Sequence, residues 1–398
     1  MTDRIKITNS ERSTAACPQR WLLRYGLGLR PTETAPALFL GTLVHAGIEA
    51  LASTISGANS PRAWSRFRAF AAIEREAEVW RVETEKSRST FFGASLSVEE
   101  VDALSTLVSA AKRLLEGYFA RWRDDEDWTL VLNEKSFEVR LRKPRTRGRI
   151  PALFAGKVDR VIERGGRLWL VETKTSSVAL SEWVERNRRN PQVASYALAL
   201  REQGIEVAGV IFDLVNSKAP KSAEELEVLK DRSRLSKPAG LPHTTAAEFL
   251  RAVTMLGQTL DSVDWYREKH RLLVDRDLSG FWFLRETILF DERDLLRSRS
   301  ELEVSLRKIG SWRVLVDRLR ANLGIDGLDG DEEMVEVLER TETDFPRESS
   351  LCWQYNRLCS YAALCSSHRA EDLSRFRRST SANGHDELTP NESDFSLE

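Results

Sequence analysis

The chain has 398 residues, 41% hydrophobic and 30% charged, which is enough apolar material for a sizeable core. Sixty Lys and Arg against 61 Asp and Glu leave a net charge of −1. That balance excludes a uniform polycation but leaves room for a local basic channel. No run of about 18 apolar residues is present, and Met1–Lys6 has no apolar leader core. Neither a membrane span nor a secretory signal is therefore expected. The expected location is cytoplasmic, where four cysteines point to metal or chemistry rather than disulfides.

Ser10 as an N-cap and Pro18 in a first turn predict short helices over the first 25 residues, closed by Gly26 and Gly28. A further helix is predicted from about Leu38 to Ser53, and two long amphipathic ones over 60–88 and 97–123. In these, Trp64, Phe67, Phe70 and Ile73, then Val101, Leu104, Leu107, Ala111 and Leu114, recur at helical spacing. The period then changes to two, predicting strands over Trp128–Leu141, Ala152–Ile162 and Leu168–Thr173. Gly165-Gly166 supplies a tight turn between the last two. A helix from Pro191 to Arg201, a strand from Gly209 to Val215 and a polar, mobile loop over 217–242 follow. Helix (Thr245–His270), strand (Phe281–Phe290) and helix (Asp291–Leu323) complete the pattern. The order predicts one α/β domain over 1–370, with a helical insertion at about 55–125, and a disordered acidic tail over 371–398.

The richest stretch runs from Phe154 to Thr175. With Gly165-Gly166 as a two-residue loop, Arg164 pairs with Arg167 and paired residue numbers sum to 331. Asp159 then lies opposite Glu172, with facing Cβ atoms about 5 Å apart, and Lys174 shares the face of Glu172. Opposed carboxylates repel, and a divalent cation between them removes the repulsion; oxygen ligands suit Mg²⁺ or Mn²⁺. A lysine beside such a cation can orient a water or stabilise charge on a phosphate. By itself the hairpin also fits a solvated salt-bridge ladder, because Lys157 and Lys174 occupy facing positions too.

His45 lies among apolar residues in Leu40-Gly-Thr-Leu-Val-His-Ala, with Glu49 one helical turn on. Such an imidazole is either a hydrogen-bonded core residue or a metal ligand. Cys17 stands alone near one end, and Cys352, Cys359 and Cys365 cluster near the other with spacing C-x6-C-x5-C. One plus three suggests a single four-thiolate site holding iron–sulfur or zinc; four unrelated buried thiols are the alternative.

In combination these segments resemble the PD-(D/E)XK nuclease superfamily, in its RecB-like branch with four cysteines and an iron–sulfur cluster, which includes CRISPR-associated exonucleases. Ser10-x6-Cys17-Pro-Gln-Arg-Trp resembles that branch's first cysteine motif, and Gly41-Thr-Leu-Val-His45 its histidine motif. Gly156-Lys-Val-Asp159 and Glu172-Thr-Lys174 resemble the catalytic core, Gln192-x3-Tyr196 the RecB-like Q-x3-Y motif, and Cys352, Cys359 and Cys365 the closing triplet. Val158 stands where the nominal proline would be, and C-x6-C is longer than the C-x2-C of several members.

The resemblance implies an α/β fold with a restriction-endonuclease-like core. In it a mixed central sheet is flanked by helices, with helical insertions and N- and C-terminal regions tied by cysteines. It implies that His45, Asp159, Glu172 and the Thr173 carbonyl bind Mg²⁺ or Mn²⁺. Lys174 is implied to be catalytic, and Gln192 and Tyr196 to work near the DNA. Cys17, Cys352, Cys359 and Cys365 are implied to hold a 4Fe-4S cluster, with Zn²⁺ as the alternative. The implied activity is a metal-dependent deoxyribonuclease, an exonuclease on single-stranded DNA or DNA ends. The implied setting is repair, recombination, phage replication or CRISPR adaptation. No P-loop is present, so a helicase or recombination partner would supply any motor. Trp183, Arg186, Arg188 and Arg189 are candidates to grip a single strand. The rival reading is a non-catalytic DNA-binding or assembly subunit.

Overall fold

The computed structural model describes residues 6–32, 36–52, 66–88, 95–122, 128–141, 152–236, 243–322, 331–354, 357–379 and 385. The chain opens with β1 (Lys6–Thr8) and α1 (Asn9–Thr14), whose first turn is capped by the Thr8 hydroxyl accepting the Glu11 N–H at 3.1 Å. The sequence pattern predicts helix from the start. The three-residue strand is missed because its pairing lies almost 150 residues away, in parallel with Leu153–Ala155. Next come α2 (Pro18–Trp21), β2 (Leu29–Pro31), α3 (Pro36–Ala52), α4 (Arg66–Arg88) and α5 (Val98–Arg121). Trp64 lies outside the described residues.

β3 (Thr129–Val139), β4 (Leu153–Arg164) and β5 (Arg167–Ser176) form an antiparallel run. α6 (Leu180–Asn187) and α7 (Pro191–Glu202) then cross to β6 (Val207–Asn216), which lies parallel to β5. After α8 (Ala246–Met255) and α9 (Tyr266–Leu278), β7 (Phe283–Leu289) pairs antiparallel with β6. The result is a six-stranded mixed sheet in the order β1-β4-β5-β6-β7, with β3 also on β4. α10 (Glu292–Asn322) and α11 (Asp331–Arg340) follow. A small hairpin of β8 (Trp353–Gln354) and β9 (Arg357–Leu358), then α12 (Ala362–Ser367), α13 (Ala370–Leu373) and β10 (Phe376–Arg378) complete the described elements.

Alternation along β6 shows how the sheet is covered. Val210, Phe212 and Leu214 join the main core with Trp21 of α2, Leu198 of α7 and Leu306 of α10. On the opposite face, Val215 packs with Leu43 of α3, Ile73 of α4 and Tyr118 of α5. This is an α/β restriction-endonuclease-like core with helices on both sides of a mixed sheet.

Two expectations change. The 217–242 stretch, expected to be a mobile loop, is folded where it is described. Ala223, Leu226 and Leu235 pack against Phe249 of α8 and Trp265 and Tyr266 beside α9. Its polar composition hides three apolar anchors spaced too irregularly to announce an element. Of the stretch expected to be an acidic tail from residue 371, residues 371–379 are folded, because β10 pairs with β2 and Tyr361 stacks on Phe376, and apart from His385 the rest lies outside the described residues. Within that region His385 is also buried, with Nε2 2.8 Å from Oε2 of Glu11, a carboxylate that also accepts from Trp21 Nε1 at 2.9 Å and Arg313 at 2.7 Å.

Candidate active site

The β4–β5 hairpin has the expected register. Arg164 faces Arg167 through a turn whose glycines have φ of 57° and 68°, and the ladder runs back to Arg160↔Val171. There it stops. The next two residues in that register, Asp159 and Glu172, lie where the strands part, and β5 continues paired with β6 through Glu172↔Phe212, Thr173↔Asp213 and Lys174↔Leu214. Asp159 does not simply oppose Glu172: its Oδ2 accepts the Thr173 N–H at 2.8 Å. Lys157, expected to face Lys174, instead pairs with Glu134 at 2.7 Å.

α3 brings His45 to this point. Close approach of the helix depends on Gly41, where a Cβ would stand 2.8 Å from Oγ1 of Thr175 on β5. His45 Nδ1 lies 4.0 Å from Asp159 Oδ2, and the ring hydrogen-bonds the Thr173 main chain. Burial lowers the imidazole pKa, against the pull of Asp159, so the ring is neutral at neutral pH.

Glu172 is wholly buried. Lys174 Nζ pairs with its Oε1 at 2.6 Å, and Oε2 has no hydrogen-bonding partner. Burial pushes the Glu172 pKa up to about 7, Asp159 adds to the rise, and Lys174 opposes it. For Lys174, burial acts to lower the pKa, but Glu172 and Asp159 outweigh it and the ammonium is held charged.

Glu134, on β3, carries a left-handed backbone with φ of 47°. Burial raises its pKa to about 7, with Asp159 and Glu49 adding to the rise. Nothing in the sequence singles it out: strand alternation says nothing about a residue that leaves the regular strand conformation.

A second buried group stands behind β5. Asp213 accepts from Tyr118 Oη at 2.5 Å, Arg160 at 2.8 Å and Arg285 at 3.0 Å, and Arg160 also donates to Thr173 Oγ1 at 2.8 Å. The Arg285 guanidinium lies 4.1 Å from the ring centres of both Trp122 and Trp128. Burial alone would raise the Asp213 pKa, but the two arginines overcome it and hold the carboxyl below its ordinary range.

Among the described residues, no three His, Cys, Asp or Glu side chains are gathered closely enough to hold a metal ion. The chemistry of the donor set nevertheless fits a hard cation. Glu172 is a buried carboxylate that Lys174 meets on one oxygen only, and the other oxygen is a buried acceptor without a partner, which is unfavourable unless a further positive group meets it. Asp159, the Thr173 main chain and neutral His45 stand beside it.

A family model described as the PD-(D/E)XK nuclease superfamily matches residues 11–271. The chain belongs to this superfamily. Membership implies a metal-dependent nuclease, and the matched span contains Cys17, His45, Asp159, Glu172 and Lys174 but ends before Cys352. No curated protein matches the chain.

Other residues of this superfamily member sit less close to the reacting groups. Tyr196 is buried, with its ring 5.3 Å from Phe137 and 6.3 Å from Phe154. It packs over Gly156, where a Cβ would meet Phe137 at 2.7 Å and Tyr196 at 3.0 Å. Gln192 is half-buried in the first turn of α7, its N–H bonded to Asn190 Oδ1 at 2.9 Å. Trp183, expected to grip a strand, packs edge-on against Phe212 at 5.1 Å. Arg186 pairs with Glu182 on the surface of α6.

The cysteines do converge. Cys17 is buried and accepts the Glu348 N–H at 3.5 Å, and Cys359 N–H donates to the Cys352 carbonyl at 2.8 Å. The long C-x6-C spacing is explained by the β8–β9 hairpin between these two cysteines. Burial pushes the Cys365 thiol up to about 11, Arg347 opposes the rise, and the other three cysteines add to it. The thiols are thus neighbours, but not drawn around one point. No helix among the described residues is long and apolar enough to cross a membrane.

Proposed function

We propose that this protein hydrolyses DNA phosphodiesters with a divalent cation, as an exonuclease acting on single strands or ends. The observation that carries the reading is Glu172, a buried carboxylate paired with Lys174 on one oxygen and without a partner on the other, where β4 and β5 part. Asp159, Glu172, the Thr173 carbonyl and His45 would hold Mg²⁺ or Mn²⁺. When bound, the cation supplies Lewis acidity toward the phosphoryl group and acidifies a water. The neutral imidazole of His45 is available as a nitrogen donor because burial keeps it deprotonated. Lys174 remains an ammonium, able to donate to the attacking water or to a non-bridging phosphate oxygen as negative charge grows there. The buried sheet keeps these groups in a fixed frame and limits reorganisation during the reaction.

The second part of the reading is a cluster held by Cys17, Cys352, Cys359 and Cys365, 4Fe-4S or alternatively Zn²⁺. Four thiols brought together across more than 330 residues support it. The cluster would tie the N-terminal helices to the C-terminal segment. A helicase or recombination partner would supply strand opening, in repair, recombination, phage replication or CRISPR adaptation. The test is digestion of end-labelled single- and double-stranded DNA with Mg²⁺, Mn²⁺ or EDTA. A metal-dependent ladder growing from one end supports the exonuclease reading, and internal cuts in a closed circle would contradict it.

A further inference from the structure

Thr173 sits between Glu172 and Lys174, and each of its polar groups is engaged by a different element. Its N–H is held by Asp159 of β4 at 2.8 Å, its hydroxyl by Arg160 of β4 at 2.8 Å, and its main chain also by His45 of α3. Because the N–H is given to Asp159, the group that meets the imidazole is the carbonyl. The β4–β5 ladder ends at Arg160↔Val171, so beyond that pair no backbone hydrogen bond ties these two strands together. Asp159 and Arg160, consecutive on β4 and therefore pointing to opposite faces, take over that task from the two sides of Thr173.

Arg160 is itself fixed. Its guanidinium also bonds Asp213 at 2.8 Å, directly across the parallel ladder from Thr173. Asp213 is held by Arg285, its neighbour on β7, and by Tyr118 from α5. A wholly buried carboxylate with two arginines is a poor way to gain stability, since apolar residues of similar volume commonly do as well. Its geometry links it instead, through Arg160, to the Thr173 hydroxyl.

We infer that Arg160, anchored by Asp213, Arg285 and Tyr118, is a positioning residue that acts through the Thr173 hydroxyl to aim the Thr173 carbonyl into the cation site. The inference rests on the nuclease reading above and adds to it a set of buried residues behind the site. Partners of metal ligands typically change metal affinity or activity by roughly 10–100-fold when removed. Thr173→Val keeps the shape and the carbonyl but removes the hydroxyl, whereas Thr173→Ser keeps the hydroxyl. Mn²⁺ binding to the full-length chain, followed by electron paramagnetic resonance, reads the effect without relying on turnover. Thr173→Val is expected to weaken Mn²⁺ binding by about 10-fold or more, lowering kcat at fixed Mn²⁺ with KM for DNA unchanged. Thr173→Ser, which restores the hydroxyl, is expected to recover most of the Mn²⁺ affinity that Thr173→Val loses. Wild-type Mn²⁺ affinity in Thr173→Val would overturn the positioning role and leave the nuclease reading intact. A wild type that binds no Mn²⁺ would overturn both.

Discussion

Replacing Glu172 by Gln should stabilise the metal-free protein while destroying its activity. Glu172 is wholly buried, only one of its oxygens has a partner, and burial raises its pKa from the ordinary 4.5 to about 7. That difference, at about 1.36 kcal/mol for each tenfold change in acidity, is roughly 3 kcal/mol. A carboxyl whose pKa rises on folding favours the folded state fully only while protonated, below pH 4.5. The contribution is lost as pH rises, and the loss is complete once pH passes about 7. Gln resembles the protonated carboxyl at every pH. In EDTA at about pH 8.5 the variant should therefore be more stable by about 3 kcal/mol, and near pH 4.5 the two should coincide. Saturating Mn²⁺ should raise the wild-type melting temperature far more than that of Glu172→Gln, because the charge disfavoured by burial is the one the cation needs. Urea unfolding at the two pH values, with and without Mn²⁺, measures all of this. A variant no more stable than wild type in EDTA at the higher pH would refute the claim that the ionised carboxylate is held in the core at a cost in stability.

Two further outcomes follow from the same geometry. Asp213→Asn leaves Arg160 and Arg285 buried without their shared counter-charge and should lower unfolding stability by roughly 3–5 kcal/mol in urea titrations. Wild-type stability would mean the arginines find other partners. Cys17→Ser should sharply reduce iron and sulfide per chain after anaerobic purification, and should loosen the contact between the N-terminal helices and the 345–367 segment, seen as faster amide exchange there. Zinc in place of iron in the wild type would select the alternative metal, and no metal at all would remove the cluster.

What could be read from sequence was what depends on local pattern. The Gly165-Gly166 turn fixed the β4–β5 register, and with it the juxtaposition of Asp159 and the Glu172–Lys174 segment, because a two-residue hairpin leaves no freedom in pairing. Gly41 and His45 could be read as one motif, although the reason for the glycine, the approach of α3 to Thr175, appears only in three dimensions. Cys17 and the C-terminal triplet were legible because of their rarity. The Asp213–Arg160–Arg285–Tyr118 group was not, since its members come from four separate elements and each alone reads as an ordinary charged or aromatic residue. Glu134 escaped because its placement near Asp159 depends on its own left-handed backbone, which strand alternation does not announce. Trp183 reads from sequence as a nucleic-acid candidate because it is an aromatic beside arginines, and its edge-on packing against Phe212 shows only in three dimensions.

The central claim, that the Glu172–Lys174 segment is a catalytic centre, is tested most directly by single-turnover cleavage of end-labelled DNA with Mn²⁺, comparing wild type with Lys174→Ala. The account predicts cleavage by the wild type that EDTA abolishes, and a loss of about 100-fold or more in the variant with DNA binding retained. Equal rates from the two proteins would contradict it, as would a folded, Mn²⁺-bound wild type that binds DNA and leaves it intact.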